Sequence, residues 1–163
     1  MKLSQIILVC CMMPAASLMA QPQIGGGTCS SASLSGNYSL SLNGRDVGSA
    51  VTFLNVIEGI GTATFDGQSN VTFSLTNNTN ESTGRVQTYS GTYSLQANCI
   101  GGLTLTTGDT ASFGLESYDQ GKDFLLTGSD GTYSYTGSGS VLPATCSASL
   151  LSGVYAFNGT PLH

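Results

Sequence analysis

The residues able to carry chemistry in this chain are few and scattered. There is one histidine, and it is the last residue, His163. A Ser/His/Asp or Cys/His arrangement needs an interior imidazole to take the nucleophile's proton, so neither can be assembled. The carboxylates to weigh are Asp46, Glu58, Asp66, Asp109, Glu116, Asp119, Asp123 and Asp130, the ninth, Glu81, falling in the polar run 77–84. Asp66, Asp109 and Asp130 each sit beside a glycine, where a carboxylate's ordinary work is to accept backbone N–H groups in a turn. Glu58 and Glu116 fall within or beside apolar alternating stretches. One of them could turn inward as an acid/base group, but the plainer reading is an outward, solvated carboxylate. Asp119 and Asp123 frame the run YDQGKD, which lacks the dense alternating oxygens of a calcium loop. Gly25 to Gly27 precede no helical pattern and no lysine, so they do not form a phosphate cradle. Cys29, Cys99 and Cys146 are far apart and have only His163 to join them, which is no metal-ligand spacing. The expectation is no catalytic residue, no metal and no cofactor, and a chain that is more readily a non-enzyme than an enzyme.

Composition narrows the partners. Only 8% of the 163 residues are charged, 40% are hydrophobic and 22 are glycine. The apolar residues recur in short alternating runs, the mark of a folded all-β chain rather than a low-complexity one. The formal charge is −5, and loss of Lys2 with a leader would take it to −6. Arg45, Arg85 and Lys122 are then the remaining fixed cations, too few to neutralise a phosphate backbone. Nucleic acid is not an expected partner.

Residues 1–20 read as a secretory signal peptide: Lys2 as the positive start, IILVCCMM at 6–13 as the apolar core, and AASLMA at 15–20 as the small-residue exit, with cleavage after Ala20. The apolar core is too short to span a bilayer. Val9 and Cys10 precede Cys10 and Cys11, where lipoprotein processing wants Gly or Ala, so the reading is export without an anchor. The mature chain, secreted, periplasmic or at the cell surface, has no membrane span. Residues 21–28 form a flexible linker.

Strands follow from period-2 alternation. Residues 37–43 carry Tyr38, Leu40 and Leu42 on one face, and Asn43-Gly44 reads as a turn. Residues 50–65 form one long bent strand or two short ones. Asp66-Gly67 closes a hairpin into Val71, Phe73 and Leu75, and the polar run 77–84 reads as a solvated loop tip. The remaining strands are 86–96, 100–107, 110–117, 122–128 and 132–139. Connections this short favour consecutive antiparallel hairpins. Eight such strands leave exposed edges unless the sheet closes, so the expected fold is an up-and-down antiparallel β-barrel, with a two-sheet sandwich as the alternative. A barrel of this size is filled by side chains or holds one small ligand. Tyr38, Phe73, Tyr89, Tyr93, Phe113 and Tyr135 are the aromatic candidates for lining such a ligand space, although aromatics on an inward face are more often simply core.

The segment TCSSASLSGNYS, which opens the folded region, returns as TCSASLLSGVYA. Cys29, Leu34, Ser35, Gly36 and Tyr38 map onto Cys146, Leu151, Ser152, Gly153 and Tyr155 at an offset of 117 residues. A fixed-period echo marks tandem units. The reading is a barrel domain at 29–142 followed by the beginning of a second, truncated repeat at 143–163. In an exported protein two of the three cysteines should be oxidised. In an eight-stranded meander all three lie near the same end. One opening and one mid-unit cysteine per repeat pairs Cys29 with Cys99, and Cys99 with Cys146 stays open as the alternative. Residues 153–158, an apolar copy of the first strand, could pair with another molecule.

The runs GTATFDGQSNVTFSLTNN and YSGTYSLQANCIGGLTLTTGD resemble a group of uncharacterised secreted bacterial repeat proteins. In that group an opening Cys and G-x-Y precede an F-D-G-x-G-N hairpin and a later G-T-Y-x-(V/L)-x-x-x-C-x-G. Cys29, Gly36, Tyr38, Phe65, Asp66, Gly67, Gly91, Thr92, Tyr93, Leu95, Cys99 and Gly101 match, and Ser69 replaces the second hairpin glycine. The resemblance implies a barrel like that of the calycins or allene oxide cyclases and implies no activity. Three functions follow in order: a non-enzymatic exported module, a barrel binding a small apolar ligand, and, well behind, a cyclase- or isomerase-like barrel. A barrel cavity of roughly 300 Å³ or more would favour the second over the first.

Overall fold

A computed structural model describes residues 28–47, 56–79, 84–145, 147 and 152–154. Eight antiparallel strands follow one another around a closed barrel: β1 (Ser35–Asp46), β2 (Val56–Asp66), β3 (Asn70–Thr79), β4 (Arg85–Leu95), β5 (Ile100–Thr107), β6 (Ala111–Tyr118), β7 (Asp123–Ser129) and β8 (Tyr133–Ser140). Each strand pairs with the next, and β1 closes on β8 from Ser41↔Ser138 to Asp46↔Tyr133. Closure removes both sheet edges, and with them the unpaired N–H and C=O groups that an open meander would present. The sandwich alternative is thereby set aside.

Alternation decides which face goes in. Tyr38, Leu40 and Leu42 of β1, Val71, Phe73 and Leu75 of β3, and Ala111, Phe113 and Leu115 of β6 are buried, while their neighbours Ser39, Ser41, Thr72, Ser74 and Ser112 face out. The outer wall is dominated by short hydroxyl side chains, the reverse of the apolar exterior that a bilayer-spanning barrel needs. Among the described residues no helix is long and apolar enough to cross a membrane.

Two expectations about turns are corrected. Asn43-Gly44 is not a turn but part of β1, where Gly44 pairs with Ile57 and Tyr135. A Cβ on Gly44 would lie 2.7 Å from the Tyr135 ring, so the glycine is there to admit an aromatic neighbour. The run beginning at Asn77 is not wholly a solvated tip: Asn77, Asn78 and Thr79 continue β3, and Asn77 is buried. Strand β2 starts at Val56, and the earlier part of the expected long strand lies outside the described residues. Glu58 and Glu116 sit at the outward positions of β2 and β6, between inward Ile57 and Gly59 and between Leu115 and Ser117.

The two ends of the barrel differ. Residues 28–34 cross one end before β1 begins and close it. Cys29 is joined to Cys99, in the β4–β5 turn, by a disulfide across 70 residues of sequence. The Tyr93 hydroxyl donates to the Ser31 carbonyl at 2.8 Å or the Leu34 carbonyl at 2.9 Å, and Leu34 is fully buried. Gly121, in the β6–β7 turn, lies so close beneath this plug that a Cβ would meet the Ser33 carbonyl oxygen at 1.9 Å. The Tyr38 hydroxyl donates to the Gly121 carbonyl at 2.7 Å. Above the plug Tyr38, Phe65, Tyr93 and Phe124 interlock edge to face, with centroids 4.9 to 5.6 Å apart, the arrangement that sets positive ring edges against negative faces. After β8 the chain returns to the same end: Val141 bridges Tyr38, and the Leu142 N–H donates to the Asn37 carbonyl. Cys146 and residues 155–158, the rest of the apolar copy of the first strand, lie outside the described residues. The expected signal peptide and residues 21–27 of the expected linker do too.

Candidate binding cavity at the barrel mouth

At the end opposite the plug the described residues leave a gap in the core. A cavity of about 130 Å³ remains, lined by residues of β1 to β6 and β8. Its walls are apolar, from Leu42, Phe73, Leu75, Leu105 and Phe113, and one arc is polar, from Asn77, Gln87 and Tyr89. The arc is bound to itself. The Tyr89 hydroxyl donates to Gln87 Oε1 at 2.6 Å, while Asn77 Nδ2 donates to Gln87 Oε1 at 2.7 Å and to the Tyr89 oxygen at 3.0 Å. Burial pushes the Tyr89 phenol up, the hydrogen bond from Asn77 pulls it back, and the nearby Asp109 carboxylate adds to the rise.

Tyr135 stands at the rim, its hydroxyl 2.6 Å from Asp130 Oδ2. Burial first, and the Asp130 carboxylate second, hold this phenol far above its usual range. Partial burial raises Asp130, but the N–H groups of Tyr133 and Thr132 and the Tyr135 hydroxyl together outweigh it, so the carboxyl stays below the usual value. Asp130 therefore serves its turn and its tyrosine. Asp66 serves its own turn at the plugged end, accepting the N–H groups of Gln68, Ser69 and Asn70 at 2.8 to 2.9 Å.

Of the six aromatic candidates, Phe73, Tyr89, Phe113 and Tyr135 line the cavity. Tyr38 and Tyr93 do not: they belong to the plugged end, their hydroxyls bound to backbone carbonyls and the Tyr93 phenol pushed up to about 12, chiefly by burial. Asn77 and Gln87 were not foreseen. Extending the inward alternation of Val71, Phe73 and Leu75 by two residues reaches Asn77. Running that of Tyr93, Gly91 and Tyr89 back by two reaches Gln87. A wider depression, about 540 Å³, lies on the outer wall against Ser39, Ser41, Ile60, Thr76 and Ser138. It is shallow and walled by short side chains, so it cannot enclose a ligand as the mouth can. Among the described residues no three His, Cys, Asp or Glu side chains gather as metal ligands. No protein-family model, curated protein or solved structure matches the chain.

Proposed function

We propose that this chain is a non-catalytic, exported β-barrel module and a repeat unit of a longer protein. The observation that supports it best is where the plug-end tyrosine hydroxyls and the turn carboxylates go. The Tyr38 and Tyr93 phenols are bound to backbone carbonyls of the plug and the β6–β7 turn, and Asp66 and Asp130 are bound to the N–H groups of their own turns. These groups hold the chain in place and are not poised on open space. The cavity that remains is less than half of the roughly 300 Å³ that a drug-sized ligand site occupies. The Cys29–Cys99 disulfide fits an oxidising compartment, and the 117-residue echo from Cys29 to Cys146 fits a tandem array. Expression from the full reading frame, followed by fractionation and non-reducing peptide mapping, tests the reading. The expected product is exported, begins at Gln21 and yields a Cys29–Cys99 peptide. Retention inside the cell with Met1 intact and free thiols would overturn it.

A further inference from the structure

Resting on the tandem reading proposed above, we infer that an exposed apolar patch at the plugged pole, formed by Ile100, Leu125 and Val141, is where the next copy of this unit packs. The three side chains are each close to half exposed. Register brings the first two together: Ile100 faces Glu116 across β5 and β6, and Glu116 faces Leu125 across β6 and β7. Val141 directly follows β8, the neighbour of β7, and bridges Tyr38. Ile60 and Val86, the other large apolar side chains exposed on the strands, stand on β2 and β4.

The patch borders both tethers. Ile100 adjoins Cys99, where the disulfide ties down the incoming Cys29. Val141 precedes Leu142, whose N–H holds the outgoing chain on the Asn37 carbonyl. Cys146 takes in the next copy the place that Cys29 has in this one, and the exposed residues Pro143, Ala144 and Thr145 separate it from the anchored Leu142. Four residue steps reach at most about 14 Å, little more than the roughly 10 Å between two sheets packed face to face. The next copy therefore cannot stand clear of this one. Built alike, it carries its own Ile100 beside the cysteine that binds Cys146, and so brings that side chain to Leu125 and Val141 here. Exit side meets entry side, a head-to-tail contact. Half-exposed Ile, Leu and Val gain by leaving water together. So small a patch falls well short of the roughly 800 Å² per partner of a stable complex, and the contact depends on the tether, which holds the copies at millimolar effective concentration.

The test is a two-unit chain in which residues 39–142 follow Tyr155, keeping the natural junction and the 117-residue period. About fifteen Gly/Ser residues, a flexible coil of roughly 22 Å, are inserted after Ala144 so that the linker no longer forces contact. NMR relaxation should still report the tumbling time of one two-barrel body. Leu125→Asp with Val141→Asp in the first unit, both outward, should bring it down to that of a single barrel, with the melting curve of the same double variant of the 163-residue chain recording that the barrel is intact. Independent tumbling of the parent two-unit chain, or a double variant that still tumbles as one body, would overturn the inference. If the second unit does not fold, dilution of the 163-residue chain from about 2 mM decides: amide shifts at Ile100, Leu125 and Val141 that fade on dilution support the contact, and constant shifts there overturn it. The two units are joined by design, so these results do not depend on the natural reading frame, and the sequence downstream of His163 tests the tandem reading separately.

Discussion

Removing the Cys29–Cys99 bond should cost about as much as the largest single side-chain deletions in the barrel core. The bond closes a loop of 70 residues. In the chain-entropy relation a loop of that length withholds roughly 15 cal/mol/K from the unfolded ensemble, or about 4.4 kcal/mol at 25 °C. Unfolding entropy near 2.1 cal/mol/K per residue over the 29–142 barrel makes this a fall in melting temperature of roughly 18 °C. The effect reaches the plug as well, since Cys29 anchors the segment that carries Ser31 and Leu34 onto Tyr93. The comparison is Cys29→Ser/Cys99→Ser against the parent, both on a Cys146→Ser background so that no thiol exchange intrudes. Urea unfolding and calorimetry are the readouts. The urea slope should rise, because the opened chain exposes more surface when it unfolds. A loss under about 1 kcal/mol with an unchanged slope would refute the reasoning, since the plug would then be held by its noncovalent contacts alone.

Gly121→Ala should destabilise by about 2–4 kcal/mol in urea titration, from a left-handed backbone and a Cβ pressed on the plug: Gly121 has φ +84° and its added Cβ would meet Ser33 O at 1.9 Å. A loss below 1 kcal/mol would show that the plug yields freely. Asp66, whose carboxyl is lowered from 3.8 to about 2 by the Asn70 and Gln68 N–H groups before any other cause, favours folding when ionised. That contribution is complete above pH 4 or so and is lost as pH falls through about 2. Urea midpoints from pH 5 to 2 should therefore decline in the parent and flatten in Asp66→Asn, and equal slopes would remove the assignment.

Most of the strands were legible because the chain states its inward and outward faces residue by residue, and because Asp66-Gly67 and Asp130-Gly131 mark real turns. The failures share a cause: they concern partners across the barrel, which local pattern does not encode. Asn43-Gly44 has the residues of a tight turn, yet its glycine answers to Tyr135 some ninety positions away. Asn77 and Gln87 are polar residues at inward positions, and only their bonds to each other and to Tyr89 make burial tolerable. The separation of Tyr38 and Tyr93 from the other four aromatics depends on which end residues 28–34 close, something that no alternation within a strand reveals.

The chain comes onto the barrel through Cys29 and leaves it beyond Leu142 at the same pole, and the cavity opens at the other. Whatever is fused before or after residues 29–142 attaches on the side away from the mouth. Such a unit hangs from its tether like a cup held by the base. Cargo, tags or neighbouring copies joined to the barrel at Cys29 or Leu142 start from the pole away from the cavity.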